Sequence, residues 1–251
     1  MQILRERFDE RHAEVSSYLE FLKGIDAAVQ AGIPKIGGDD GLTITTQQQK
    51  ILYSGVYLQL YNLVEATITE CLDYISKASM EHATHSPADL SLEMRREWVK
   101  HIARTNVEMG PEKRLENALV LCNHLVDALP VDAFDIVRGG GGNWDDKHIE
   151  KIATRLGFKI KVSKSVRAAV KKSVRDDMGA LALIVSLRNK LAHGSLTFAE
   201  CGQNDTALEL VSLANGVTDY LREVVVAFGN YLQNRLYLLP ERRPNTAVAT
   251  A

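Results

Sequence analysis

Residues 45–77 read TTQQQKILYSGVYLQLYNLVEATITECLDYISK, and the fold follows from them more than from any other part of the chain. Their apolar side chains recur every three or four positions, which is the spacing of one wide face of a helix. Thr45 and Gln48 have the spacing of a capping box at the start of that helix. So long a helix with so wide an apolar face is typical of the interior of a helical bundle.

The same spacing continues on both sides of this stretch. A helix is predicted over residues 3–29, and residues 35–41 are predicted to form a loop because they are rich in glycine and aspartate. Thr206 and Glu209 form a second predicted capping box, which begins a helix that extends to Leu232. Alternation with a period of two, the mark of a half-buried strand, is almost absent. The sequence therefore predicts an all-α fold.

Residues 80–162 are predicted to be a helical insertion in the bundle. Ser86 is the predicted cap of a charged, peripheral helix, and Pro111 begins another. Asn143 is the predicted cap of a short helix. Residues 158–162 are the one segment that we expect to be extended.

The composition is that of one globular unit. Of the 251 residues, 45% are hydrophobic and 25% are charged, which is ample for a core. No boundary between domains is visible. We expect residues 1–240 to form a single domain, and residues 241–251 to form a disordered tail.

The charge and the cysteine content argue against several classes of protein. The formal net charge is −2, so no overall basic excess indicates a nucleic-acid-binding protein. The three cysteines form no Cys-x-x-Cys pair, which argues against disulfides and zinc. Glu81, His82 and His85 are interpreted as surface residues, and no metal or cofactor is expected. The charged N-terminus does not resemble a signal peptide, and the apolar run at residues 181–185 is too short to cross a bilayer, so we expect a cytoplasmic protein without a membrane partner.

The strongest candidate for chemistry is the segment LALIVSLRNKLAHG at residues 181–194. It places Arg188 at the end of an apolar run, with His193 five positions later, just before a glycine. Asn189 and His193 are one helical turn apart and share a face. Arginine can hold a phosphate through two parallel hydrogen bonds, and histidine can take a proton from a ribose 2′-hydroxyl near neutral pH. These residue types suit the cleavage of RNA.

The spacing alone is weak evidence. Arg7 with His12, and Arg96 with His101, have the same spacing. Both pairs lie on charged segments that are typical of solvated helices. Only Arg188 follows an apolar run that must be buried.

Several segments carry a family resemblance. The sequence RNKLAHG at residues 188–194 resembles the Arg-polar-x-x-x-His motif of the HEPN superfamily. Residues 57–66 (YLQLYNLVEA), 142–145 (GNWD) and 196–200 (LTFAE) resemble its bacterial branch in defence and toxin loci. The resemblance implies a helical bundle that forms a homodimer, with the two motifs facing each other across a cleft. It also implies an endoribonuclease that cleaves RNA without metal and leaves a 2′,3′-cyclic phosphate.

The resemblance assigns roles by position. Arg188 would bind phosphate, His193 would be the general base or acid, and Asn189 would be a polar helper. Glu65 would support them from the long helix. The implied partners are an RNA substrate, a second copy of the chain, and an antitoxin or defence protein. Ser195 stands where members that are silenced by nucleotidyl transfer have tyrosine, so that mode of control is not expected.

A basic run lies next to the motif in sequence. Residues 159–175 contain no acidic side chain. Such a run can follow an RNA backbone if it flanks the cleft, although a solvated face is its commoner role. The residues predicted to bind RNA are Lys161, Lys164, Arg167, Lys171 and Lys172.

Two alternatives to catalysis stay open at this point. Arg188 can pair with a carboxylate such as Glu65 or Asp177, with His193 simply ending a helix. A non-catalytic helical dimer that binds nucleic acid or a protein is the other. Trp98 and Trp144 are candidates for stacking on bases, although partial burial is the commoner fate of tryptophan.

Overall fold

The computed structural model describes residues 2–37, 40–80, 85–104, 107–139 and 143–244. Helices dominate these residues, which confirms the predicted all-α class. In chain order the helices are α1 (Gln2–Ala31), α2 (Thr46–Met80), α3 (Leu92–Ile102), α4 (Pro111–Val126), α5 (Asp146–Arg155), α6 (Lys164–Lys171), α7 (Ala180–Ala192), α8 (Phe198–Cys201) and α9 (Ala207–Gln233).

The small sheet lies where a loop was predicted. Strand β1 (Lys35–Ile36) pairs antiparallel with β2 (Leu42–Thr43), and each strand has two residues. Residues 158–162, the segment expected to be extended, form neither a helix nor a paired strand. The ring of Phe158 packs instead on Phe228, with ring centroids 5.0 Å apart.

Helix α2 is the centre of the bundle, and α1, α7, α8 and α9 all pack against it. The predicted capping box begins it, because the Gln48 N–H donates to Thr45 Oγ1 at 3.1 Å and the Thr45 N–H donates to the Gln48 side chain at 2.8 Å. Side chains on several sides of α2, such as Val56, Leu60 and Ile68, are fully buried. A helix that is apolar on most sides is stable only inside a bundle.

A polar cluster ties three helices together around Asp26 of α1. Its carboxylate accepts hydrogen bonds from the Tyr53 hydroxyl on α2 and from the Ala207 N–H, which begins α9, at 3.3 Å. A carboxylate at a helix N-terminus also interacts favourably with the helix dipole. Burial, followed by the hydrogen bond to Asp26, raises the pKa of Tyr53 to about 12.

The close approach of α8 to α2 depends on a glycine. A Cβ atom at Gly202 would lie 2.1 Å from the Lys50 carbonyl oxygen and 3.1 Å from the Ser54 nitrogen.

We expect Gly202→Ala to lower the free energy of unfolding by about 2–4 kcal/mol, because backbone atoms must move apart. At Gly216, in the middle of α9, a Cβ would meet nothing within 4 Å. Gly216→Ala should raise the stability by about 0.5–1 kcal/mol, and urea unfolding measures both changes. Equal stability of Gly202→Ala and wild type would contradict the packing described.

The cap of α3 differs from the prediction. Ser86 does not begin the helix, because its backbone and hydroxyl both donate to the Asp89 carboxylate in a tight turn. Leu90 then forms a bridge with Leu238, which keeps the chain extended at that point. The helix begins only afterwards, where Ser91 Oγ accepts from the Met94 N–H at 3.2 Å.

The cap of α5 was also predicted wrongly. Asp145 Oδ1 accepts from the His148 N–H at 2.7 Å, and Asn143 makes a different contact that is described below. The basic run at residues 159–175 is helical only in part, since α6 ends at Lys171. A turn that includes Asp176, with φ +53°, separates α6 from α7.

Both tryptophans are buried. Trp98 is 0% exposed and Trp144 is 1% exposed, so neither is available to stack on bases. The charged helix α3 is anchored in the protein rather than peripheral. Its Glu97 is buried and lies 3.1 Å from Arg155 Nε and 2.7 Å from Lys100 Nζ.

Some predictions remain untested. Residues 245–251, Glu81 and His82 lie outside the described residues, whereas residues 240–242 form a short 3₁₀ helix. Within the described residues, no three His, Cys, Asp or Glu side chains are grouped so that they could hold a metal. In the same part of the chain, no helix is long and apolar enough to cross a membrane.

Candidate functional site

Helix α7 presents the Arg-x₄-His motif at its C-terminal end. Its buried face, which includes Leu183, Leu187 and Leu191, packs the helix against α2. His193 is the C-terminal cap, and Gly194 follows with φ +69°, a conformation that glycine adopts without strain. The end of the helix, and with it the position of the motif, is therefore fixed by local chemistry.

Arg188 lies half-buried over an aromatic ring. Its guanidinium carbon is 4.3 Å from the centroid of the Tyr61 ring on α2, within the range of a cation–π contact. Its Nη1 donates to Asn189 Oδ1 at 2.8 Å. Among the described residues, no carboxylate lies within 4 Å of Arg188, so the alternative ion pairs with Glu65 and Asp177 are not formed. The positive charge is held in place without being neutralised.

Glu65 reaches this arrangement through Tyr61, one turn earlier on α2. The pKa of the Tyr61 hydroxyl is raised, first by burial and then by the charge of Glu65 and a hydrogen bond to its carboxylate, while Arg188 opposes the change. Glu65 is therefore linked to Arg188 by the tyrosine ring between them. The role that the sequence assigned to Glu65 was support from the long helix, and this contact is consistent with it.

Asn189 connects the motif to the insertion. Its Oδ1 accepts from Arg188, and its Nδ2 donates to Asn143 Oδ1 at 2.9 Å. One amide thus uses its acceptor on the arginine and a donor on the segment that precedes α5. Arg188 is consequently positioned from two directions, by the Tyr61 ring and by the Asn189–Asn143 pair.

Sequence patterns indicated no role at the site for Tyr61 and only a helix cap at Asn143, although both residues lie in segments that carried the family resemblance. The spacing of Tyr61 and Glu65, four positions apart on one helix, was an available signal for their contact. No local signal indicates that Asn143 meets Asn189.

His193 is exposed at the end of the helix. Its backbone N–H donates to the Asn189 carbonyl at 3.0 Å, which completes the last helical turn. Its imidazole makes no hydrogen bond or ion pair with the residues that the structure describes. The ring is therefore accessible to a ligand or to another chain.

The predicted RNA-binding residues fall into two groups. Arg167 Nη1 lies 3.2 Å from Glu150, and Lys171 pairs with Asp146, so helix α5 neutralises both charges. The other three, Lys161, Lys164 and Lys172, are exposed and have no acidic partner in the described part of the chain. Of the five residues predicted to bind RNA, only these three have no acidic partner among the described residues.

The two other Arg-x₄-His pairs have different surroundings. Arg7 is exposed and forms an ion pair of 3.1 Å with Glu10. His101 is occupied by a backbone contact, since its Nδ1 accepts from the Asp135 N–H at 3.3 Å. These pairs therefore serve as natural controls for the motif on α7.

The motif residues are absent from the lining of five cavities in the described part of the chain. The largest cavity we compared, about 480 Å³, lies between α1 and α2 and is lined by residues such as Tyr18 and Asn62. Arg188, Asn189 and His193 line none of the five cavities we compared.

A helical bundle with an Arg-x₄-His motif at the end of a packed helix is the arrangement that the HEPN resemblance implied. The chain matches the HEPN_MAE_28990-like HEPN family over residues 1–237, and it belongs to that family. Membership indicates a ribonuclease-type or nucleotide-binding module. Comparison with curated proteins and with solved structures gave no match.

Proposed function

We propose that the protein is an endoribonuclease that cleaves RNA by attack of a 2′-hydroxyl on the adjacent phosphate, without a metal ion. One observation carries this proposal: the Arg188 guanidinium is fixed over Tyr61 with no carboxylate partner among the described residues, beside the exposed His193. A half-buried cation without an anion is costly to maintain, and a phosphate would compensate for that cost.

The reaction assigns each side chain a step. His193 takes the proton of the 2′-hydroxyl, the 2′-oxygen bonds to phosphorus, and the bond to the 5′-oxygen breaks. Arg188 binds the non-bridging oxygens and stabilises the extra negative charge of the pentacoordinate transition state. Asn189 and Glu65 keep Arg188 in position. The products are a 2′,3′-cyclic phosphate and a 5′-hydroxyl.

In this proposal, a second copy of the chain supplies the general acid that protonates the leaving group. The leaving 5′-oxygen needs a proton in the same step in which His193 accepts one, and a single imidazole cannot do both. His193 of the second copy would donate that proton if the two motifs faced each other. The exposure of His193 supports such a shared cleft. We place this activity in the cytoplasm, in a toxin–antitoxin or antiphage setting with a neutralising partner protein.

Purified protein, incubated with total RNA and tRNA in EDTA, tests the proposal. We expect cleavage by the wild type and none by His193→Ala. The matched control is His12→Ala, which removes the histidine of another Arg-x₄-His pair and should leave cleavage unchanged. Equal cleavage by wild type and His193→Ala would refute the proposed role of the motif.

One observation favours a second function, a non-catalytic helical dimer that binds nucleic acid or a protein. No side chain among the described residues orients the His193 ring, whereas a general base is usually fixed by a hydrogen bond to its second nitrogen. Binding of RNA without any single-turnover cleavage would select this function.

The uncompensated lysines make a separate prediction about RNA affinity. Each phosphate contact of single-stranded RNA contributes about 0.7 to the slope of log affinity against log salt concentration. Replacing Lys161, Lys164 and Lys172 by glutamine should therefore reduce that slope by about 2. Replacing Arg167 and Lys171, which are paired with α5, should reduce it by less than half as much. Fluorescence anisotropy of a labelled RNA on a His193→Ala background measures the slopes, and equal effects of the two replacements would contradict the grouping.

A further inference from the structure

A chain of hydrogen bonds leads from the motif to the protein surface. Arg188 Nη1 donates to Asn189 Oδ1 at 2.8 Å, and Asn189 Nδ2 donates to Asn143 Oδ1 at 2.9 Å. A guanidinium can only donate, so Asn189 must turn its amide oxygen to Arg188 and its amide nitrogen to Asn143. Asn143 must then accept with its own oxygen. The donors of Arg188 therefore fix the orientation of both amides.

The outer end of this chain is a hydrogen-bond donor. Asn143 Nδ2 carries two N–H groups, and it makes no hydrogen bond with the residues that the structure describes. The side chain is exposed, so a ligand can reach it. Even if the chain of hydrogen bonds were straight, this nitrogen would lie no more than about 10 Å from Arg188 Nη1. A ligand with a phosphate on Arg188 can therefore reach Asn143 with the group attached next to that phosphate.

We propose that Asn143 contacts the RNA base next to the phosphate that Arg188 binds, and that it selects a base with a carbonyl oxygen over a base with an amino group. This inference rests on the proposed function, which places an RNA phosphate on Arg188. Uracil has O4 where cytosine has an N4 amino group, and guanine has O6 where adenine has an N6 amino group. The Asn143 amide nitrogen donates to the carbonyl oxygen and has no acceptor to offer to the amino group.

The fixed orientation of Asn143 also excludes the usual pairing of asparagine with adenine. That pairing uses both ends of the amide, because the oxygen accepts from adenine N6 and the nitrogen donates to N7. Here the oxygen already accepts from Asn189. Asn143 is left with donors alone, and a group with donors alone selects bases that present acceptors.

The charges around Asn143 favour a base over a second phosphate. The Asp145 N–H donates to the Asn143 carbonyl at 3.1 Å, so both residues belong to the same turn. The Asp145 carboxylate accepts from the His148 N–H at 2.7 Å and has no cationic partner in the part of the chain that the structure describes. A negative charge in this turn repels a phosphate, whereas a neutral base edge is not repelled.

The binding of two homopolymers tests the proposal on the full chain. Labelled oligouridine and oligocytidine of equal length are compared by fluorescence anisotropy on a His193→Ala background, which prevents cleavage. We expect oligouridine to bind about fivefold more tightly, which is the effect of one hydrogen bond. Asn143→Ala should make the two affinities equal. Asn143→Asp should reverse the preference, because one carboxylate oxygen still accepts from Asn189 while the other accepts from the cytosine amino group.

The matched control is Asn123→Asp, which adds the same charge at an exposed asparagine of α4. It should leave the ratio of the two affinities unchanged. The ratio is the readout because an added negative charge weakens the binding of both oligomers alike. Equal affinities on the His193→Ala background would overturn the proposal, as would an unchanged ratio in Asn143→Ala. An equal loss of both affinities in Asn143→Ala would overturn it too, since it would place the contact on the RNA backbone.

Failure of this inference is distinguishable from failure of the proposed ribonuclease activity. A preference for oligouridine that depends on Asn143, without any cleavage by the wild type, would support the base contact and refute the proposed catalysis. Cleavage of both oligomers at equal rates, with equal affinities, would support the catalysis and overturn the base contact.

Discussion

We expect Arg188→Ala and His193→Ala each to lower the single-turnover rate of RNA cleavage by about 10³-fold. In the proposed reaction, Arg188 provides the positive charge that stabilises the transition-state phosphate, and its guanidinium carbon lies 4.3 Å from the centroid of the Tyr61 ring. His193 would provide the proton transfer. Both side chains leave the buried face of α7 untouched, so the fold should be retained.

The matched controls for these variants are Arg7→Ala and His12→Ala. This pair has the same spacing, but Arg7 is neutralised by Glu10 at 3.1 Å. We expect cleavage at the wild-type rate from both controls. Circular dichroism and sedimentation of all four variants should match the wild type. A loss of less than about tenfold in Arg188→Ala or His193→Ala would place the chemistry elsewhere.

We expect the second largest effect from Tyr61→Leu, a fall of about 10- to 30-fold in the cleavage rate. It removes the ring under Arg188, and a partly desolvated cation–π contact is worth up to about 2 kcal/mol. Tyr61→Phe keeps the ring face and loses only the hydroxyl that contacts Glu65, so its rate should fall less than about threefold.

The comparison of the two Tyr61 variants distinguishes the positioning of Arg188 by the ring from a general loss of packing at residue 61. Tyr61 is 4% exposed, so either substitution changes the stability to some degree. Rates are therefore compared at a temperature at which both variants are folded, as shown by urea unfolding. Equal rates for the Leu and Phe variants would show that the ring does not position Arg188.

Local signals predicted much of the helical framework. The capping boxes at Thr45 and Thr206 form as predicted, because each needs only residues three positions apart. Ser86 failed as a cap although its local signal was as good. The outcome there was decided by the bridge between Leu90 and Leu238, a contact that no local pattern contains.

At the candidate site, too, local patterns indicated some residues, and they missed those whose contacts depend on the tertiary fold. The sequence indicated Arg188 and His193 because they follow a buried apolar run, and it indicated Asn189 by its helical spacing. It indicated Asn143 only as a helix cap and not as a partner of Asn189, because that contact depends on how the insertion folds back onto α7. It also could not show that α5 would neutralise Arg167, since Glu150 lies on a different helix.

The chemistry of the cut ends tests the central claim most directly. A defined RNA is cleaved in EDTA, and mass spectrometry identifies both ends at each cut. We predict a 2′,3′-cyclic phosphate on the upstream fragment and a 5′-hydroxyl on the downstream fragment with the wild type, and neither with His193→Ala. A 3′-hydroxyl with a 5′-phosphate, or the same cyclic phosphate at the same rate from His193→Ala, would contradict cleavage by Arg188 and His193.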